Sequence, residues 1–490
     1  MKNIDLFDAL DLVDPEFIDE ARVSKIKKDK KLKEDIRDNK LRTKWLSAVA
    51  AILVMSILIV SLTIIGPNSP YISLALSQAQ YPIMTYKPTG DPATEEYREQ
   101  YSMWSDDIEK QKEFYGSAAA LSPFIKKSVG VFLSESNGKN VVYSPLNVFM
   151  TLAVMAEMSG GNTRDQILDV LGCHTVNNLR VQSNAIWNAN YRDDGVVKSI
   201  LASSVWLSNG MSYDDKVANV LATSYYTSVY SGRIGSQLYN EEYYEWMNKQ
   251  IGKPVYVDTY QSFTEKEAIS IATVLNFDSD WEYGFSNRRT KDGVFHSDNG
   301  DVKCIYMNKI ELYGGYYWGK SFTATSKRLK DSGSMYFILP NEGINVNELV
   351  NDDEVLDFII SNGEWENKDD IIVNLTIPRM NISSDINLKD GLSKMGVQDC
   401  FTLGSGNFSG IVKDDKKADD LFVNKINHNV SVVVDNEGVT GYAYTQAVTD
   451  VITAPIKSDI NFTVNRPFIF VITGADGSVL FIGVVNQPNK

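Results

Sequence analysis

The chain has 490 residues, 43% hydrophobic and 11% aromatic, enough apolar material for a large core in one big domain or in several smaller ones. A formal net charge of −15 excludes nucleic acid as the main partner. Three widely spaced cysteines, Cys173, Cys304 and Cys400, without a C-x-x-C spacing, exclude a disulfide framework and read as buried thiols.

Residues 1–44 begin with acidic and apolar clusters in which Leu6, Phe7, Leu10 and Val13 have helical spacing, a short amphipathic helix or a solvated tail. A basic run from Lys25 to Lys44 follows. Trp45 to Ile65 is then uncharged and mostly apolar, and at ~1.5 Å rise per residue it matches a hydrocarbon core of ~30 Å. Trp45 sits at an interfacial position, and the next charge after Lys44 is Lys87. The expectation is an uncleaved signal-anchor helix at 45–65 that partners the cell membrane in a single pass, with 1–44 cytoplasmic and everything after Gly66 outside.

Residues 66–114 carry Gly66-Pro67, Ser69-Pro70, Lys87-Pro88 and Asp91-Pro92, then a charged stretch from Glu95 to Glu113. The proline-punctuated part reads as an extracytoplasmic spacer. The charged part, with Tyr97, Tyr101, Trp104 and Ile108 interspersed, reads as a helix laid against the next domain.

A globular domain is expected over 115–490. Phe124, Ile125, Val129 and Phe132 make a helical stripe, and Val148–Met155 reads as a buried helix. Ala268–Phe277 and Asp370–Ile377 read as strands. Helices concentrate in the first half and strands in the second, which is an α+β pattern rather than repeated βαβ units.

Gly314-Gly-Tyr-Tyr-Trp-Gly319-Lys320-Ser321 satisfies the phosphate-binding pattern G-x-x-x-x-G-K-S. Such a loop needs a strong strand before it and a helix after it. Lys309–Tyr313 is a weak strand, Phe322–Ser326 has poor helix propensity, and three rings would crowd the cradle. Only His174, His296 and His428 exist, with no metal-ligand spacing and no G-x-S-x-G elbow. No catalytic residue, metal or cofactor is therefore assigned, and the chain does not read as an enzyme.

The most informative stretch is Asp435–Phe468. An alternating strand, Asn429-Val-Ser-Val-Val-Val434, precedes it, and an apolar one, Phe468-Ile-Phe-Val-Ile472, follows. A connection of that length in a compact domain is functional or disordered, and this one lacks a linker's composition. After Gly438, Val439, Gly441, Ala443 and Thr445 alternate with Thr440, Tyr442, Tyr444 and Gln446. In an extended strand the small set would share one face and the bulky set the other.

Glu437-Gly438 with small residues after it, the long loop, Arg466-Pro467-Phe468, Leu480-Phe-Ile-Gly483 and Pro488 together resemble the C-terminal end of a serpin. Asn140-Val-Val-Tyr-Ser-Pro145, Gly161-Asn-Thr-Arg-Asp-Gln-Ile-Leu168, Trp281-Glu-Tyr-Gly-Phe285, Thr290 and Phe295 are similar to earlier family segments. Ser334-Met-Tyr-Phe-Ile-Leu-Pro340, Ile377-Pro378, Met395-Gly396, Phe401 and Phe408-Ser-Gly410 follow in the family's order. Over roughly 115–490 the chain resembles a bacterial-type serpin to which an N-terminal anchor has been added.

That resemblance implies several helices around three β-sheets with an exposed reactive-centre loop, acting as a monomer. It implies a suicide-type inhibitor of extracellular serine, or cysteine, endopeptidases: the target cuts the loop, forms an acyl-enzyme, and is trapped as the freed loop enters the central sheet. The implied hinge is Glu437, Gly438, Val439, Thr440, Gly441, Tyr442, Ala443, Tyr444 and Thr445. The implied sheet-opening region is Ser144, Asn147, His428 and Trp281, with His428 bonding Ser144 and Asn147. Family spacing from Gly438 puts the cut bond at Ile452–Thr453, whose aliphatic residue suits a subtilisin- or elastase-like target protease. The hinge departs from the family where Val439 replaces the usual Thr and where Tyr442 and Tyr444 interrupt an alanine-rich run. Asn147 stands where Ser is usual. A non-inhibitory serpin-fold module for binding or surface sensing is the alternative.

Overall fold

A computed structural model of the chain describes residues 74–134, 136, 138–251, 268–414, 421–423, 426–440 and 459–488. The expected tail (1–44), anchor (45–65) and the first residues of the expected spacer lie outside the described residues. Among the described residues no helix is long and apolar enough to cross a membrane.

Ten α-helices are described: α1 (Glu95–Lys112), α2 (Ser122–Leu133), α3 (Pro145–Met158), α4 (Gly161–Leu171), α5 (Val176–Asn190), α6 (Asp215–Ser224), α7 (Gln237–Ile251), α8 (Val346–Leu349), α9 (Asp353–Ile360) and α10 (Leu388–Lys394). The strands are β1 (Leu74–Ser77), β2 (Val141–Tyr143), β3 (Arg192–Asp193), β4 (Val197–Ser208), β5 (Thr227–Gly232), β6 (Ile269–Asp280), β7 (Lys291–Ser297), β8 (Gly300–Trp318) and β9 (Phe322–Arg328). They continue with β10 (Ser334–Pro340), β11 (Lys368–Pro378), β12 (Met380–Asn387), β13 (Asn427–Val434), β14 (Gly438–Thr440), β15 (Asp459–Thr463), β16 (Phe468–Thr473) and β17 (Val479–Val485).

Hydrogen bonding gathers these strands into two sheets. The main sheet runs β1-β5-β4-β6-β14-β13-β12, with β3 attached to β4. The second runs β15-β11-β8-β9-β10-β16-β17-β2, with β7 attached to β8. The family resemblance implies three sheets; here β8, 19 residues long, carries β7 at its start and β9 at its end, so two ladders merge into one.

The core is set by apolar runs too dense for a solvated face. Every residue of β16 and β17 is buried, and so is every residue of α3. That helix starts where Pro145, which has no N–H to leave unpaired, follows Ser144, whose hydroxyl accepts from the Asn147 N–H. The three cysteines are all free and buried.

Residues 74–112 do not stand off as a spacer. β1 pairs antiparallel with β5 and extends the main sheet at its edge. Tyr81 stacks on Trp187 and Tyr191, with ring centroids 5.8 and 5.7 Å away. Thr94 caps α1, Glu95 and Glu96 fill its first turn, and Lys110 and Lys112 its last, all suited to the helix dipole. Trp104 is buried, and its indole N–H donates to Asp194 at 2.7 Å. Asp194 in turn pairs with the buried Arg192, and Lys87 reaches Asp331 at 2.6 Å while lying over the Trp104 ring.

Candidate functional site

The site is built where β13 ends. Its alternating sequence puts His428, Val430, Val432 and Val434 on the buried face and Asn429 and Ser431 outside. Just beyond, the Asp435 carboxylate accepts the N–H groups of Glu437 and Gly438 at 2.8 and 3.2 Å, and the Asp435 N–H donates to the Gly438 carbonyl. This side-chain-closed turn reverses the chain. β14 then runs back beside β13, with Val439 opposite Val434 and Thr440 opposite Val433.

On its other side β14 pairs with β6, Gly438 opposite Asp280 and Val439 opposite Ser279. Glycine is required there by the closeness of the neighbouring backbone: a Cβ on Gly438 would lie 2.4 Å from the Ser279 carbonyl oxygen. Below β14, the partner of β6 is β4 and the partner of β13 is β12; among the described residues no ladder joins β6 to β13 directly. Two strands thus flank a slot whose mouth alone holds β14.

The mouth is locked by side chains from several elements. The Trp281 N–H donates to the Glu437 carbonyl at 2.8 Å, and its indole N–H to the Asp435 carbonyl at 2.9 Å. The Asn436 amide donates to the Phe285 carbonyl and Thr290 hydroxyl, while its oxygen accepts from the Arg379 guanidinium. Lys327 lies 4.8 Å from the Phe285 ring and pairs with Glu311; burial pushes its ammonium down to about 8. Burial pushes the Asp280 carboxyl up, with Glu437 and Asp435 adding to it and Lys330 opposing it.

Deeper in the sheet, the Ser144 N–H donates to His428 Nε2 at 2.9 Å. That bond leaves Nδ1 as the protonated nitrogen of a neutral ring. Burial holds the His428 pKa down at about 4. Asn147 joins Ser144 rather than His428: it occupies the first turn of α3, so its N–H is an orphan donor that the Ser144 hydroxyl satisfies at 3.2 Å. One turn on, the Thr151 and Thr273 hydroxyls meet at 3.1 Å, so α3 touches both β13 and β6, the two walls of the slot.

Of the implied hinge, Glu437, Gly438, Val439 and Thr440 are brought together with Trp281. Gly441, Tyr442, Ala443, Tyr444, Thr445, Ile452 and Thr453 lie outside the described residues. β15, which follows them, pairs in parallel with β11. Arg379, Asn436 and Lys327 were not singled out from sequence; the one signal was position, Arg379 directly after Ile377-Pro378 and Asn436 inside the turn. Gly314 and Gly315 lie within β8, opposite Ile371 and Asp370, so the phosphate-loop pattern is a strand segment. Among the described residues no cluster of His, Cys, Asp and Glu could hold a metal ion.

The described residues thus form a mixed α/β body in which Gly438–Thr440 is paired between β6 and β13 at the start of a long connecting segment. The sequence model of the family described as "Serpin (serine protease inhibitor)" matches residues 127–488, and the chain belongs to this family. Its members are generally inhibitors rather than enzymes.

The chain is 25% identical to the plasma serine protease inhibitor of Mus musculus over 394 residues, 77% of this chain and 94% of that one. It is 25% identical to the leukocyte elastase inhibitor of Equus caballus over 374 residues, 73% of this chain and 95% of that one. Among solved structures it is similar to the thermophilic serpin tengpin in the native state, with a TM-score of 0.67 at 18% identity, covering 85% of this chain and 99% of that one.

Proposed function

We propose that the protein is a suicide-type inhibitor of extracellular serine, or cysteine, endopeptidases, tethered by residues 45–65 with its body outside the membrane. The observation that carries this reading is β14, hydrogen-bonded on both sides at the mouth of the slot. Continuing its register would set residue 441 opposite Val432, 443 opposite Val430 and 445 opposite His428. Those partners are buried, and Gly441, Ala443 and Thr445 are small enough to fit there. Tyr442 and Tyr444 would emerge beside the exposed Ser431 and Asn429, on the face that tolerates bulk.

In the reaction the protease nucleophile attacks the carbonyl of the residue before the cut, Ile452 by spacing, forming an acyl bond as the amine of Thr453 leaves. The Gly438 side of the loop is then free at one end and extends β14 down the slot, carrying the acylated enzyme with it. Each added residue pairs with two strands whose facing edges have no other ladder among the described residues, which drives insertion ahead of hydrolysis. The similarity to the mouse plasma serine protease inhibitor and the horse leukocyte elastase inhibitor supports a protease as the partner, and the aliphatic Ile452 favours a subtilisin- or elastase-like one.

Thermal unfolding before and after limited loop cleavage tests the proposal. A large rise in the midpoint of the cut form is expected from insertion. An unchanged midpoint would mean that the hinge stays out, and would leave the non-inhibitory binding module.

A further inference from the structure

Where the end of α1 meets the main sheet there is a small, partly open pocket whose lining includes Gln111, Asn190, Arg192, Ser199, Phe277 and Gly474. Three lining atoms have no hydrogen-bond partner among the described residues, Gln111 Oε1, Asn190 Oδ1 and Ser199 Oγ, and Arg192 Nη2, ion-paired with Asp194 Oδ2 at 2.6 Å, keeps a second N–H beside them. Their residues are 4–6% exposed, so bulk solvent does not serve them. Buried polar atoms left unmatched are costly and rare, and three around one pocket, with a spare guanidinium N–H beside them, call for a shared partner.

The amide orientations cannot be reversed to relieve this. Gln111 Nε2 donates to the carbonyls of Tyr191 at 2.7 Å and Asn188 at 3.3 Å. Asn190 Nδ2 donates to the Ile186 carbonyl at 2.9 Å and the Ser478 hydroxyl at 3.1 Å. Flipping either amide would face its oxygen with a carbonyl oxygen, so both oxygens are committed to the cavity. Arg192 Nε and Nη2 both lie against Asp194 Oδ2, at 2.8 and 2.6 Å, so it is the second N–H of Nη2 that is left for the pocket.

We propose that this cavity is a binding site for one ordered water molecule, which donates to Gln111 Oε1 and Asn190 Oδ1 and accepts from Arg192 Nη2 and Ser199 Oγ. Two acceptors, a cationic donor and a hydroxyl of either sense match the two donors and two lone pairs of water. An anion would face the two amide oxygens and a cation the guanidinium, so neither matches the set. The space is that of a single water.

The location gives the water a job. Gln111 belongs to α1, Asn190 ends α5, Arg192 lies on β3, and Ser199 lies on β4 opposite Phe277 of β6. The water is thus the polar joint between α1 and the strand pair that forms one wall of the slot.

A crystal structure of the full chain, at a resolution that shows ordered solvent, tests this directly. The expected result is one water-strength peak within hydrogen-bond distance of at least three of the four atoms. No peak, a peak too dense for water, or side chains rearranged to satisfy one another would overturn it. Amide hydrogen exchange of α1 gives a second reading. Ser199→Val, whose added methyls occupy the space and strand both amide oxygens, should speed exchange about tenfold, whereas Ser199→Ala, which leaves three partners, should stay near wild type. Equal exchange in Ser199→Val and wild type would overturn the proposal.

Discussion

Acidification should weaken the native state through His428. The ring is 4% exposed and accepts the Ser144 N–H on Nε2, so a proton on that nitrogen has to displace the bond. Burial sets the native pKa at about 4, against ~6.5 in the unfolded chain. A histidine with a depressed native pKa adds nothing to the pH dependence above the unfolded value. As pH falls below ~6.5 the unfolded chain takes up the proton first, so stability drops, and the loss ends near pH 4. From the difference in the two values the full loss is about 3 kcal/mol, and about 2 kcal/mol of it falls between pH 7 and pH 5. The assay is the urea midpoint and unfolding rate of wild type and His428→Gln across that window, since carboxylates contribute equally to both and cancel. Wild type should lose stability toward pH 5 relative to the variant. The chain has only three histidines, so NMR can follow each ring; His428 should keep its neutral signals where an exposed ring titrates. Parallel curves for wild type and variant, or a His428 ring that titrates near ~6.5, would refute the reasoning.

Three further outcomes are expected. Gly438→Val would drive side-chain atoms into the backbone of β6, costing about 1–3 kcal/mol of the pairing at the mouth; the cut form should lose much of its gain in thermal midpoint, and more of the protein should be consumed as substrate. Trp104→Ala removes a buried ring and the bond to Asp194; a loss of about 3–5 kcal/mol, read by denaturant unfolding, is expected if α1 is part of the body. Lys327 has a native pKa pushed down to about 8 by burial. The native state therefore releases its proton before the unfolded chain does, and stability should rise from pH 8 toward ~10.5 in wild type relative to Lys327→Met, which a pH series of denaturant midpoints would show.

Much of this site was legible from the chain alone. The alternation of Asn429–Val434 announced β13 and its faces; the spacing after Gly438 put Val439 on the face of the small residues, and the structure shows that residue buried. Phe468–Ile472 was apolar enough to require a core strand. Side-chain partners that depend on folding were not legible. Arg379, Asn436 and Lys327 meet at the mouth only because β6, β9, β11 and the turn after β13 converge there, and no local pattern marks them. At Asn147 the structure shows the backbone N–H donating to the Ser144 hydroxyl as a helix cap, a bond that spacing alone did not announce.

The segment around Lys87 and Pro88 was the most misleading. Prolines there suggested a chain held away from the domain, yet the Lys87 N–H donates to the Asp194 carbonyl and the Ala79 N–H to the Ser228 hydroxyl. Composition reports how often a backbone can donate, not whether a distant edge is waiting to accept. The strand Leu74–Ser77 is too short to show a period, and its pairing partner lies some hundred and fifty positions on, in Thr227–Gly232. A truncated chain for biochemistry should therefore begin at Leu74, since starting at 115, where the globular domain was expected to begin, would remove both β1 and α1.

The most direct test of the central claim is to mix such a chain with subtilisin or elastase and run the products on a denaturing gel. Loop insertion after acylation predicts a boiling-resistant band at the summed mass and release of a small fragment beginning near Thr453. Complete cleavage in the loop with no covalent band would contradict it.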